Sequence, residues 1–341
     1  HGQLEAEGAC FGEASGWERA NWFLPKTAKD AGKKAEYDYS WRRQNWFEYS
    51  AAEHMAVRQK VGMFDMSSFG KIKLIGRDAE AVLQRIAAND VAVPVGKIVY
   101  TQFLNSEGHI EADVTITRLS ADEFLIVTPA ATIRRDLHWI NGHIPDSSHA
   151  IAVDISVSES VFVVMGPDAR SFLQPLIPQS LENKDFPFGT MQPIEIGHAI
   201  ARAHRVSYVG ELGWELYVSA DMSAHVFETI AARRKDHQLA MCGLHALDSC
   251  RIEKGFRHFG HDISNEDHVL EAGLGFAVKE NKQPGKFGTM IGADAVKAKR
   301  NDGLSQRLMQ FRLDDPDPLL YHNEAIYRDG VVIGYLTSGN Y

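Results

Sequence analysis

Residues 71–86 read Lys-Ile-Lys-Leu-Ile-Gly-Arg-Asp-Ala-Glu-Ala-Val-Leu-Gln-Arg-Ile, and residues 161–176 read Val-Phe-Val-Val-Met-Gly-Pro-Asp-Ala-Arg-Ser-Phe-Leu-Gln-Pro-Leu. At an offset of 90, Gly76/Gly166, Asp78/Asp168, Ala79/Ala169, Leu83/Leu173 and Gln84/Gln174 coincide. Each copy reads as a strand, a glycine turn and a helix, with the aspartate where an N-cap is wanted. Generic α/β patterns can match by chance, but five identities in one register favour duplication. A second match lies further on. Phe124-Leu-Ile-Val-Thr128 and Glu215-Leu-Tyr-Val-Ser219 both read as strands followed by amphipathic helices. Ile133, Leu137 and Ile140 line the face of one helix, and Val226 and Ile230 line the other. The chain therefore reads as α+β, built from duplicated strand–helix units.

Around this repeat the map is coarser. Residues 1–45 read as an irregular lead-in. Ser50 with Glu53 suggests a capping box, and Gly62 a helix stop. Residues 97–119 read as a hairpin, Gly243 to Gly255 as a helix, Lys279 to Gly288 as a polar loop, and 305–341 as separate strands. The expected units are 1–45, 46–150, 151–300 and 301–341. No G-x-G-x-x-G opening of a dinucleotide fold is present.

Composition narrows the classes. The net charge of −9 over 341 residues gives no electrostatic footprint for nucleic acid, although a local arginine cluster can still take an anionic ligand. Cys10, Cys242 and Cys250 form no C-x-x-C pair, so neither a disulfide scaffold nor a zinc site is expected. His258, His261 and Asp262 come nearest to ligand spacing, but no metal is expected there. No apolar run approaches the roughly 20 residues of a spanning helix. The start, His-Gly-Gln-Leu-Glu, has neither a signal pattern nor a methionine, so a piece of a longer polypeptide is expected. The expected location is the cytoplasm, or the mitochondrial matrix in a eukaryote, and oligomerisation is left open.

Two carboxylates stand where strands do not want them. In Ile110-Glu-Ala-Asp-Val-Thr-Ile-Thr117, alternation puts Ile110, Ala112, Val114 and Ile116 on one face and Glu111, Asp113, Thr115 and Thr117 on the other. A mid-strand Asp113 breaks strand propensity, and such rule-breaking gathers at functional sites. A solvated strand residue is the plain alternative. In Arg202 to Ser219, two strand-like runs flank a turn on Gly210 and Gly213 that carries Tyr208 and Glu211. Glu215 falls within the apolar run Trp214 to Val218, where a charge is costly unless paired. A fork of N–H donors, from a pterin edge or an arginine, would satisfy it. In Gly243 to Gly255, Arg251 stands three residues after Asp248, which allows an intrahelical ion pair.

These segments resemble the glycine-cleavage T-protein superfamily, whose members bind tetrahydrofolate. Tyr100-Thr-Gln-Phe-Leu-Asn-Ser-Glu-Gly-His-Ile-Glu-Ala-Asp113 resembles the family block that holds the catalytic aspartate, with His109 where a second glycine is usual. Asp248, Arg251 and Glu253 match the family's A-x-D-x-x-R-x-E helix. Gly8 to Phe23 resembles the connector of dimethylglycine and sarcosine dehydrogenases, with Ala20 in place of a proline. The resemblance covers roughly residues 8–341. It implies ferredoxin-like halves and a C-terminal β-barrel-like domain around a central folate site. It further implies Asp113 as the catalytic residue, with Tyr100, Tyr208, Glu211, Glu215 and Arg251 holding tetrahydrofolate. FAD is expected only on a domain absent from this chain, an upstream flavin partner.

The function so implied is one-carbon transfer to tetrahydrofolate, from an iminium made by oxidative N-demethylation of a small amine. A stand-alone aminomethyltransferase or S- or O-demethylase is the alternative within the family. A non-enzymatic folate-binding regulatory module is the alternative outside enzymes.

Overall fold

The computed structural model describes residues 1–40, 42–234 and 238–340. A hairpin of β1 (Ala9–Ala14) and β2 (Trp17–Phe23) opens the chain, and the helix Phe47–Gln59 leads into β3 (Gly62–Asp65). The first half runs β4 (Gly70–Ile75), helix Ala79–Ile86, β5 (Ile98–Leu104), β6 (Ile110–Arg118), β7 (Glu123–Thr128), helix Ile133–Gly142 and β8 (Ile151–Asp154). The second half runs β9 (Glu159–Met165), helix Ala169–Leu173, β10 (Met191–Ile196), β11 (Ala199–His204), β12 (Gly213–Ser219), helix Ser223–Ala232 and β13 (Ala240–Met241). The helices Leu244–Glu253 and Ala293–Asp302 follow, and then a small hairpin of β14 (Ala325–Arg328) and β15 (Val331–Tyr335).

The duplication is physical. The first sheet has the order β5-β6-β7-β4-β8, and the second β10-β11-β12-β9-β3-β13. Four strands of the first, β8-β4-β7-β6, give the fourth–first–third–second order of a ferredoxin-like unit, with β5 added on the hairpin side. In the second sheet the place beside β9 is filled by β3, which precedes the first half in sequence. The halves are therefore interlocked. The glycine turns show why this joint is specific. Gly76 and Gly166 adopt φ 133° and 140°, values an L side chain rarely takes. A Cβ there would strike the carbonyl of His149 and of Lys60 respectively, in the segments entering β8 and β3. Each turn is thus pressed against the strand that completes its sheet.

Side-chain alternation divides the interior into layers. On β9, Phe162 and Val164 pack outward against the helices of the second half, while Val161, Val163 and Met165 face the first half. On β7, Phe124 and Ile126 face the first half's own helices, and Leu125 and Val127 face the second. The inner faces of both sheets thus share one central layer, closed by Val57 of the Phe47–Gln59 helix and Ala246, Leu247 and Cys250 of the Leu244–Glu253 helix.

Three local expectations need correction. The lead-in is not irregular: β1 and β2 pair around Ser15-Gly16, at φ 54° and 84°, the positive pair of a two-residue hairpin turn. Trp22 on β2 is fully buried. Ser50 and Glu53 form no capping box, because the helix begins at Phe47, leaving both inside it. Instead the buried Glu53 carboxyl accepts from Phe23 N–H at 2.6 Å and Gly243 N–H at 2.8 Å, joining the connector to the start of the Leu244–Glu253 helix. Asp78 and Asp168 occupy N-cap positions, but neither side chain caps. The Asp78 carboxylate turns away to accept from His149 N–H at 2.9 Å and Lys286 Nζ at 2.7 Å.

Candidate functional site

The strand alternation that builds the central layer also sends polar groups into it. Asp113 lies on the inner face of β6, its outward neighbours Ala112 and Val114 being core. Gln102 Nε2, opposite it on β5, donates to Asp113 Oδ1 at 2.8 Å. The Tyr100 hydroxyl faces the same carboxyl and favours its charged form. Burial pushes the Asp113 carboxyl up to about 6, against the pull of these two groups and of the Arg257 charge. Burial, with Asp113 alongside, raises the Tyr100 hydroxyl above its ordinary range. Gln102 and Arg257 were not identified from sequence.

Glu215 enters the same layer from β12 and is only 9% exposed. Its partner is neither an arginine nor a lysine but Tyr217, two residues on along the same strand face, whose hydroxyl donates to Oε2 at 2.9 Å. Burial pushes the Glu215 carboxyl up to about 7, with the Tyr217 bond opposing. Behind Tyr217 lies the His204 ring at 4.3 Å, a buried imidazole pushed down to about 3 by desolvation. Glu215 borders a narrow slot with Met66, Phe69, Val163, Met165, Tyr208 and Leu247. It has room for about one water molecule.

Tyr208 stands beside the Glu215 slot, within electrostatic reach of Asp113. It lines the Glu215 slot, stacks on Phe256 at 6.1 Å and donates its hydroxyl to Arg257 O at 2.7 Å. Burial raises its hydroxyl well above the ordinary range, and Asp113 is among the charges that act on it.

The other two expected site residues lie differently. Glu211 turns to Arg58, accepting from Nη1 at 3.0 Å, and so ties the Tyr208 turn to the Phe47–Gln59 helix. Arg251 is 3% exposed. Its Nε donates to Asp248 at 2.6 Å, Nη1 to Asp262 and to Phe256 O at 3.2 Å, and Nη2 to Ser338 Oγ at 2.9 Å. Four of its five N–H groups are thereby engaged within the protein. Asp262 also accepts from Thr337 Oγ1 at 2.8 Å, so this knot fastens the C-terminal segment to the Leu244–Glu253 helix.

The raised carboxyls give the fold a pH signature. A carboxyl whose pKa is higher folded than unfolded binds extra protons in the native state. Its stabilising effect is complete below the unfolded pKa, near 4.5 for Glu215, and is lost as pH rises to about 7. Ligand-free protein is therefore expected to lose stability from pH 5 to 7, by up to about 1.4 kcal/mol per pH unit for this group. Urea melts of wild type and Glu215→Gln check this: the variant should show the shallower dependence, and parallel curves would exclude Glu215 as a source.

Residues 1–282 match the GCVT N-terminal domain, and residues 306–341 the glycine cleavage T-protein C-terminal barrel domain. The chain is 41% identical over its whole length to 4-methylaminobutanoate oxidase (formaldehyde-forming) of Paenarthrobacter nicotinovorans, covering 40% of that protein. It is 33% identical to the mitochondrial sarcosine dehydrogenase of Homo sapiens, again over 100% of the chain and 40% of the relative. The chain thus spans about two fifths of the length of these relatives. The glycine cleavage system aminomethyltransferase T of Bartonella henselae has the same fold, with a TM-score of 0.79 at 22% identity over 100% of this chain and 84% of that one. No described helix is long and apolar enough to cross a membrane. The chain belongs to the glycine cleavage T-protein family and is an aminomethyltransferase-type enzyme domain.

Proposed function

We propose that this member of the family transfers a methylene unit to tetrahydrofolate from an iminium formed by oxidative N-demethylation, with a flavin-bearing portion supplying the oxidation. One observation carries the reading. Asp113 and Glu215, from matching sheets of the two halves, enter one central layer, and each meets a tyrosine hydroxyl rather than an ion-pair partner. The buried Glu215 carboxyl, with no cation acting on it, suits a ligand rich in N–H donors, and the 2-amino and N3 edge of a pterin is one. Glu215, oriented by Tyr217, would hold that edge, with Tyr208 against the ring. The slot is narrow, so lining side chains would give way on binding.

Folate would supply two nitrogens able to take up a one-carbon unit. Overall, an iminium RNH⁺=CH₂ and tetrahydrofolate, with its two N–H groups, would become methylenetetrahydrofolate and RNH₃⁺. Two protons must therefore leave the acceptor and end on the amine. Asp113, held by Gln102 and Tyr100, is the group placed to take and return a proton, and its negative charge would favour a cationic donor nearby. A carboxyl titrating about 6 is poised for both. Closing the layer around the reactants would limit hydrolysis to formaldehyde. Arg251 would act as a positioning residue through Asp248, Asp262 and Ser338, with one N–H left for a ligand. Glu211 would brace the Tyr208 turn through Arg58. A stand-alone aminomethyltransferase is the second reading, supported by the likeness in fold to a separate T protein.

The test is tetrahydrofolate binding by calorimetry. Glu215→Ala is expected to weaken it by about 1–3 kcal/mol, the scale of leaving a buried donor unpaired. Equal affinity in two folded proteins would take Glu215 out of the site.

A further inference from the structure

Arg58 and Arg251, at the edge of the central layer, have committed most of their guanidinium N–H groups. Arg58 is tied to Glu211, Glu253 and the carbonyls of Val209 and Cys250. Arg251 is tied to Asp248, Asp262, Phe256 O and Ser338. Arg257 differs. Its Nε donates to Ala272 O at 3.0 Å and its Nη1 to Gly255 O at 2.8 Å, so both acceptors are neutral carbonyls. Among the described residues no carboxylate forms an ion pair with it. Of five N–H groups three remain, including both on Nη2, and no Arg257 nitrogen is buried without a partner. The unbonded side of the fork is thus not sealed from solvent.

The head is nevertheless held in place. A Cβ on Gly273 would stand 2.6 Å from Nη2, so the glycine makes room for the guanidinium. Ala272, whose carbonyl anchors Nε, lies in the apolar cluster on which Tyr100 packs. The carbonyl of Arg257 accepts the Tyr208 hydroxyl. The charge acts on both Asp113 and Tyr100. A planar cation, fixed by carbonyls with one side free, has the form of a carboxylate receptor.

We propose that Arg257 binds the carboxylate of a reactant, and that this is the carboxylate of the amine-derived donor rather than of the folate tail. The proposal rests on Asp113 standing at the reacting nitrogen. Folate carries its carboxylates on a benzoyl-glutamate tail, remote from the nitrogens that accept carbon. A small amino-acid-derived donor carries its carboxylate within a few bonds of the nitrogen that gives up the carbon. A cation whose charge reaches Asp113, carried on the residue whose carbonyl anchors Tyr208, is placed for the second. The consequence is that the donor arrives as the intact iminium, because free formaldehyde offers Arg257 nothing to hold.

The experiment titrates tetrahydrofolate-loaded protein with N-methyl-β-alanine and with N-methylpropylamine, amines alike except for the carboxylate. Wild type should prefer the acid by about 10–100-fold, the range of charge-assisted hydrogen bonds. Arg257→Gln should abolish the preference and leave tetrahydrofolate affinity within about threefold of wild type. Arg257→Lys, which keeps the charge but not the fork, should retain part of the preference. It also serves as the test if the glutamine variant does not fold. Weaker tetrahydrofolate binding in Arg257→Gln, with 6-methyltetrahydropterin unaffected and the amine preference intact, would place the folate tail there and overturn the donor assignment. No preference in wild type, or one that survives Arg257→Gln with folate binding unchanged, would overturn the carboxylate site itself. Failure of the Asp113 reading is separate: it shows in the product partition of Asp113→Asn and leaves this binding preference untouched.

Discussion

Asp113→Asn is expected to lower methylene transfer to tetrahydrofolate by about 10²–10⁴-fold, the usual worth of a positioned acid–base group or electrostatic stabiliser. The substitution keeps the shape and the bond from Gln102 but removes both the charge and the base. In the polypeptide that carries the flavin, amine oxidation should continue, and the product should shift from methylenetetrahydrofolate to free formaldehyde. Folate affinity should change little, since the pterin edge is assigned to Glu215. The pH profile gives a second readout. The wild-type transfer rate should fall as pH drops through about 6, where the Asp113 carboxyl takes up its proton, and the variant should lack that limb. An unchanged yield of methylenetetrahydrofolate with folate saturating would remove Asp113 from the chemistry.

Arg251→Met is expected to destabilise the ligand-free protein by about 3–5 kcal/mol, because it leaves the charges of Asp262 and Asp248 without their counter-ion. Asp262 is 9% exposed, and its carboxyl is held below its ordinary value despite burial, owing first to the Arg251 charge and then to its hydrogen bonds. The C-terminal segment should loosen with it, since Ser338, Thr337 and Asn340 reach the knot through Arg251, Asp262 and Asp248. Denaturant melts without folate measure the loss, and proteolysis around residues 336–340 measures the loosening. If Arg251 acts chiefly as a folate ligand instead, the ligand-free melt should move little and only the stabilisation by added folate should disappear. That outcome would sink the knot.

How far a site can be read from sequence depends on which interactions are local. The Ile98–Arg118 hairpin is legible because its period of two and its Asn105–Gly108 turn are local signals. Its register is not. Leu104 pairs with Ile110, which without interruption would set Gln102 opposite Ala112. A bulge at Phe103/Leu104 shifts the pairing by one and sets Gln102 opposite Asp113. One-residue slips exchange the faces of a strand, so the partner of the central carboxylate was decided by a backbone irregularity without a composition signal. His109 is accommodated in this turn because Gly108 takes the positive φ of 81°, leaving His109 to bond Asn105.

Glu215 shows the same division. Its cost in an apolar strand was plain from the residues around it. That it would meet Tyr217 and not an arginine depends on both faces of β12 being covered. The lead-in hairpin was missed, although Ser15-Gly16 between two strand-like runs carried a local signal for it.

By itself the sequence determined the duplication, most strand and helix types of the two halves, and the two carboxylates out of place, because periodicity, glycine turns and burial cost act over a few residues. Only the tertiary structure decided that β3 completes the second sheet, that Arg251 and Glu211 are committed to protein partners, and that Arg257 is held by the carbonyls of Gly255 and Ala272. Some of those contacts are local, but Glu211 reaches Arg58 across 153 residues and Arg251 reaches Ser338 across 87, contacts that only the packing of distant segments could make. The guanidinium of Arg257 is the local case: its place is set by the carbonyls of Gly255 and Ala272 and the clearance at Gly273, and backbone positions of that kind carry no side-chain signature.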